Sequence, residues 1–308
     1  MRKPLLALFL AIIIPTATAQ SLTYKQILDK PELATTRADH KIAYGKDALQ
    51  VGELWLPPSV SKGALPVVVL LHGGCWLAEL PGPELVAFLA DELRMQGVAV
   101  WSLTYRRIGH RGGGYPGTFS DVADGVAHLR VLAEKYHLDL TRVVATGHSA
   151  GGHLALWVAA QKRIPAGSIL KREQAVNFNA VIGLAAISDL AYYARTGGHG
   201  CGENTVAQLV DRATRGTPDT APGSPPGAAF LDTSPAEMLP LGVKQMLIHG
   251  ALDRMVPPAI SLGYQTRAKA QGESIELITL ENAGHFELIA PWTAAGKVVV
   301  AKILAAVK

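Results

Sequence analysis

The sequence has no long charged tract, no low-complexity stretch and no internal repeat. Those absences exclude a tail-like disordered chain and a solenoid. Lys and Arg nowhere cluster with interleaved aromatics, and the formal net charge is only +4. Arg2 and Lys3 supply two of those charges, so 4 − 2 = +2 remain beyond the first residues, which excludes nucleic acid as a partner class. Cysteine is scarce, with Cys75 and Cys201 the only two. An oxidising compartment could pair them, and two buried free thiols are the alternative. The ten histidines are not accompanied by a second carboxylate or a histidine cluster, so no metal site is expected.

Hydrophobic residues, in contrast, make up 49% of the 308 positions, enough for one large domain with a substantial core. The N-terminus reads as an export signal. Arg2 and Lys3 form its positive region, Leu5–Ile14 its apolar core, Pro15 a break, and Ala17–Ala19 the small-residue cleavage pattern. Residues 1–19 are then the signal peptide and Gln20 the mature N-terminus, so residues 20–308 remain as a single domain, exported to periplasm or medium. The apolar run is too short to span a bilayer comfortably, so no stable membrane span is expected after cleavage. The sequence assigns no oligomeric state.

Along the chain, "KIAYG" and "LQVGELWLP" alternate apolar and polar residues, as a half-buried antiparallel pair does. "PVVVLLHGG" (66–74) and "VAVWSLTY" (98–105) are continuous apolar runs, the mark of strands buried on both faces of a parallel sheet. "RVVATG", "AVIGLAAIS", "KQMLIHG" and "SIELITL" continue the series. Amphipathic stretches lie between them. "PELVAFLADELRMQG" stops at Gly97, and "TFSDVADGVAHLRVLAEKY" puts Phe119, Val122, Ala123, Val126, Leu129 and Ala133 on one helical face. "WTAAGKVVVAKILAAV" predicts a closing helix. Strands alternating with helices predict an α/β fold, a mostly parallel central sheet with helices on both faces. Residues 189–240, rich in Gly, Pro and Ser, break the rhythm and read as an inserted loop or cap.

Four segments carry chemistry. "GHSAG" (147–151) places Ser149 on a strand-to-helix turn, where a serine is raised for attack and needs a base to take its proton. "LLHGGCW" (70–76) ends a buried strand with glycines whose amides can turn toward an oxyanion. Gly74, Cys75 and the residue after the serine, Ala150, are the candidate donors. "LIHGALDRMVP" carries Asp253 just past a strand, where a carboxylate can orient an imidazole, and "LENAGHF" carries His285 on a loop after the next strand. Each segment follows a predicted parallel strand, so all four belong at the carboxyl edge of the sheet. Their order, Ser149, Asp253, His285, is that of an acyl-transfer triad on an open α/β sheet. Trp76 is a candidate pocket wall or packing residue. His148 and His153 read as packing residues, His72 and His249 as braces for their loops, and Asp121 and Asp124 as solvated or capping side chains.

From about residue 50 to the end, the chain resembles the esterase/lipase branch of the α/β-hydrolase superfamily. "HGGCW" is similar to the HGGxW oxyanion motif of kynurenine formamidases and related bacterial carboxylesterases. "LTYRR", "GHSAGGHLAL", "SPAEMLP", "HGALDRMVP" and "GHF" follow in that branch's order. Cys75 stands at a variable position of the motif, and the Gly/Pro-rich segment matches no family feature. The resemblance implies hydrolysis of small acyl or aryl esters through an acyl-enzyme, with a small-molecule ester as partner and no cofactor. Two alternatives share the machinery, an arylformamidase acting on N-formylkynurenine and a small-peptide hydrolase. A third, from a different class, is a non-catalytic hydrolase-like binding protein. A Cys75–Cys201 bond, if formed, would tie the 189–240 segment to the oxyanion loop.

Overall fold

A computed structural model describes residues 21–59, 63–196, 199–211 and 227–308. The signal-peptide reading therefore lies outside the described residues, as does much of the Gly/Pro-rich part of the insertion.

Eight strands form one sheet: β1 (His40–Ala43), β2 (Val51–Trp55), β3 (Leu65–Leu71), β4 (Ala99–Leu103), β5 (Leu138–His148), β6 (Ala180–Leu184), β7 (Lys244–Gly250) and β8 (Ile275–Leu280). Their spatial order is β1-β2-β4-β3-β5-β6-β7-β8. As the alternating sequence predicts, β1 and β2 pair antiparallel, and β2 runs antiparallel to β4. All pairings from β4 through β8 are parallel.

The β-branched run of β3 lies at the centre because its side chains alternate between two apolar layers. Val67, Val69 and Leu71 join Trp101, Phe119, Leu154 and Trp157 on one face. Val68 and Leu70 join Leu89, Leu93, Val299 and Ile303 on the other. Full burial of each such side chain contributes roughly 1.5–3 kcal/mol, so a polar residue here would be costly on either face. Helices Gly117–Ala127 and Ala150–Ala159 supply the first layer, and helices Ala87–Met95 and Ala294–Ala306 the second.

The stretch expected to be one helix over 118–136 is two, Gly117–Ala127 and Leu129–Tyr136. At His128 the ladder tightens to a three-residue bond, Val131 N–H to His128 O at 3.0 Å. The apolar face survives the break: Phe119, Val122, Ala123, Val126 and Leu129 are buried and Ala133 half-buried. Asp121 departs from its reading as a solvated residue. It is fully buried, because Arg106 grips both carboxylate oxygens at 2.7 and 2.9 Å and Gln50 donates at 2.8 Å. Asp124 is partly exposed and pairs with Arg172.

Within 189–240 the described residues form helices Leu190–Arg195 and Thr205–Leu209 and short 3-10 turns, with no strand. Among the described residues no helix is long and apolar enough to cross a membrane.

Candidate active site

Strand β5 ends at His148, and the helix Ala150–Ala159 begins one residue beyond Ser149. Ser149 is therefore the whole turn, with φ 57° and ψ −120°, a region that side chains enter only under strain. The surroundings enforce it. Ser149 N–H donates to Leu184 O at 2.8 Å, and its carbonyl accepts from His153 N–H at 3.1 Å. The flanking glycines are required by close approach. A Cβ on Gly147 would lie 2.2 Å from Gly151 O, and one on Gly151 would lie 2.1 Å from Leu71 O. Ser149 is only 4% exposed, so it sits enclosed at the sheet edge rather than standing proud of it.

The loops after β7 and β8 carry the other two residues of the sequence reading, and the structure brings them into contact. His285 Nδ1 lies 2.7 Å from Asp253 Oδ2. An ionised carboxylate can only accept, so Nδ1 carries the proton and Nε2 keeps its lone pair. Asp253 Oδ1 accepts from the N–H groups of Met255 and Val256 at 2.8 and 2.9 Å. His249 Nε2 adds a further contact to Oδ2 at 3.4 Å while donating to Val256 O at 2.9 Å. Burial alone would raise the Asp253 pKa. The hydrogen bonds from His249, His285 and Val256 outweigh it and hold the carboxyl well below the usual range.

The loop after β3 turns sharply, with positive φ at Gly74 (99°), Cys75 (51°) and Trp76 (57°). Gly74 has no alternative here, since a Cβ would meet Pro81 O at 2.6 Å. The loop is braced from below. His72 Nδ1–H donates to Gly73 O at 2.7 Å, and Tyr105 stacks on the His72 ring at 4.4 Å while its hydroxyl donates to His72 O at 2.7 Å. Burial, reinforced by the nearby Arg107 charge, lowers the His72 pKa to about 3 and keeps the ring neutral. Arg107 itself donates to Leu80 O at 2.7 Å, closing the far end of the same loop.

Cys75 and Cys201 are joined by a disulfide with Cα atoms 5.3 Å apart. Next to it, Gly200 N–H donates to Met255 O at 3.2 Å, so one turn of the insertion touches both the β3 loop and the Asp253 loop. Trp76 is fully buried and meets the His153 ring edge-on at 5.2 Å, a packing position rather than an open wall. His153 donates from Nε2 to Thr233 O, which ties the helix after Ser149 to the 189–240 segment. Ala150 occupies the first turn of that helix, where backbone N–H groups lack intrahelical acceptors.

Gly74, Cys75, Ala150, Ser149, Asp253 and His285 thus lie on loops and one helix start at the carboxyl edge of the parallel strands, the location expected from the sequence. Tyr105, within "LTYRR", is a brace that the sequence does not reveal: its only signal is its place at the end of the apolar run 98–105.

The strand order, the strained serine and the Asp–His contact define an α/β-hydrolase. Comparison with known families narrows this: the BD-FAE family model matches residues 53–267, and the chain belongs to that family, an esterase family of the α/β-hydrolase fold. Among curated proteins, Esterase LipC of Mycobacterium tuberculosis is 26% identical over 259 residues, covering 81% of this chain and 60% of that one. A probable isoprenylcysteine alpha-carbonyl methylesterase of Arabidopsis thaliana is 22% identical over 263 residues, covering 82% and 58%. The chain thus spans about 60% of the length of these curated relatives. Among solved structures, inhibited esterase B of Lactobacillus rhamnosis superposes with a TM-score of 0.71 at 19% identity, covering 92% of this chain and 90% of that one. That likeness is one of fold.

Proposed function

We propose that this protein is a serine hydrolase of carboxylic esters, acting on small acyl or aryl esters. The 2.7 Å contact of His285 Nδ1 with the Asp253 carboxylate, with the His285 ring packed 4.4 Å from that of His148, the residue before the strained Ser149, is the observation that carries this reading. His285 Nε2 takes the Ser149 proton as the hydroxyl oxygen attacks the ester carbonyl, and Asp253 stabilises the imidazolium. The N–H groups of Gly74, Cys75 and Ala150 receive the oxyanion of the tetrahedral intermediate. His285 then protonates the departing alcohol, leaving an acyl-Ser149. Water enters, gives its proton to His285, attacks the acyl carbon, and the carboxylic acid leaves as Ser149 regains its hydrogen.

Residues 1–19 support export of the enzyme, which places its ester outside the cytoplasm; N-terminal sequencing of exported protein should begin at Gln20. The ester reading is tested by Ser149→Ala against a panel of acyl esters of graded length, feruloyl and acetylated-sugar esters, and N-formylkynurenine. Loss of roughly 10⁴-fold or more in turnover is expected, and survival within tenfold would contradict the mechanism. Preferential cleavage of N-formylkynurenine would turn the assignment to a formamidase.

A further inference from the structure

We propose that His148 is a positioning residue that locks the His285 backbone to the nucleophile strand, an inference that rests on the Ser149–Asp253–His285 reading above.

His148 is the last residue of β5 and joins directly to Ser149. Its Nε2–H donates to the main-chain oxygen of His285 at 2.9 Å, across 137 residues of sequence. The two rings pack at 4.4 Å between centroids, tilted by 53°, and the His148 ring also meets Phe286 at 5.7 Å. His285 is thus held twice: Asp253 takes the side chain, His148 the backbone. The neighbouring hydrogen bonds of the same turn run elsewhere. Leu252 N–H reaches Ala283 O at 2.9 Å, and Gly284 N–H reaches Glu287 Oε2 at 3.0 Å. Those bonds set the turn against the acid loop and against itself. The His148 bond sets it against the strand that carries the serine.

A packing role alone does not account for a histidine here. The residue is 1% exposed, and its Nδ1 has no hydrogen-bond partner among the described residues. An apolar ring would fill the same space without burying an unpaired nitrogen. Nδ1 faces the β3 loop, 3.1 Å from where a Cβ on Gly73 would lie, so the ring stands between the oxyanion loop and the base. Burial, with His285 next and His249 also opposing charge, outweighs the hydrogen bond to His285 O and the Asp253 charge, lowering the His148 pKa to about 3. The ring stays neutral and donates from Nε2, while Nε2 of His285 remains the base.

The test compares wild type with His148→Leu, His148→Gln and His148→Asn, using p-nitrophenyl acetate hydrolysis and the rate of labelling by a fluorophosphonate. Folding is checked by circular dichroism, and His285 is followed through its low-field Nδ1–H proton resonance. Gln can place an amide N–H where Nε2 lies; Asn is too short to reach. Loss of about 10–100-fold in kcat with KM nearly unchanged is expected for Leu and Asn, the scale of a small misplacement of a reacting group. Gln should recover most of it, and the His285 resonance should persist in Gln and broaden in Leu and Asn. Should Leu fail to fold, the Gln–Asn pair carries the comparison alone. Equal rates in Gln and Asn, or a folded Leu variant labelled as fast as wild type, would overturn the proposal. Failure of wild type itself to be labelled would instead overturn the Ser149 reading.

Discussion

The loop Gly73–Trp76 and the loops bearing Asp253 and His285 converge on the Ser149 elbow, yet they are held in different ways. The first is left-handed at three consecutive residues, wedged against Pro81, braced by neutral His72, and anchored through Cys75 to Cys201. The second is a charge-assisted network: one carboxylate accepts from two backbone N–H groups and His285, with His249 alongside. Backbone geometry and a covalent strap suit donors that must stay put while charge develops in front of them. A carboxylate facing an imidazole suits a group whose charge changes during the cycle. The two halves of the proposed chemistry should therefore fail differently when perturbed.

The largest failure should come from the ionic half. Asp253→Asn keeps the shape of the side chain but replaces an acceptor-only carboxylate, so His285 loses the partner that fixes its tautomer. Turnover should fall by roughly 10²–10⁴-fold, with little change in thermal midpoint relative to that loss, measured by ester hydrolysis and calorimetry on the same preparation. A variant within tenfold of wild type would show that the network is not needed.

The covalent half should fail mainly through stability and order. In Cys75→Ala/Cys201→Ala, a link across 126 residues is removed, which loop-closure entropy puts at up to about 5 kcal/mol of unfolding free energy. Activity should drop less than in Asp253→Asn, because the Gly74, residue-75 and Ala150 amides all remain. Reduction that left both the thermal midpoint and turnover unchanged would show that the strap contributes neither stability nor order.

Acid gives the most graded effect, because it acts through several buried histidines rather than through one bond. His72 and His148 have folded-state pKa values near 3 and His153 near 4, all lowered chiefly by burial from an ordinary 6.5. The unfolded chain binds protons at these sites below about 6.5 while the folded chain does not. Stability is therefore fully present above that pH and declines progressively as pH falls toward 4. Asp253, also depressed, adds to the loss only below its ordinary 3.8. A thermal midpoint that stayed flat between pH 7 and 4.5 would contradict this order.

Much of this arrangement was legible in sequence because strands buried on both faces announce themselves. Val67–Leu71 and Val98–Leu103 could be little else, and each chemical motif came directly after such a run. Parallel strands then bring their carboxyl ends to one edge without further information. What sequence could not convey was contact between side chains remote along the chain. Asp121 looked like any polar residue on an amphipathic helix, yet Arg106 and Gln50 bury it. His148 could be placed beside the elbow from its neighbours, but its bond to His285 O depends on how β8 lies in the sheet. The break at His128 was equally hidden, since the apolar face continues across it. Nor could two cysteines 126 residues apart be paired until the insertion's turn was seen against the β3 loop.

The proposed chemistry requires Ser149 to be the residue that bonds to the substrate's acyl carbon. Intact-mass and peptide mass spectrometry after treatment with a fluorophosphonate tests it most directly. One adduct per chain, on the peptide containing Ser149 and absent from Ser149→Ala, is the predicted result. A folded chain that stays unlabelled, or an adduct on another residue, would contradict it.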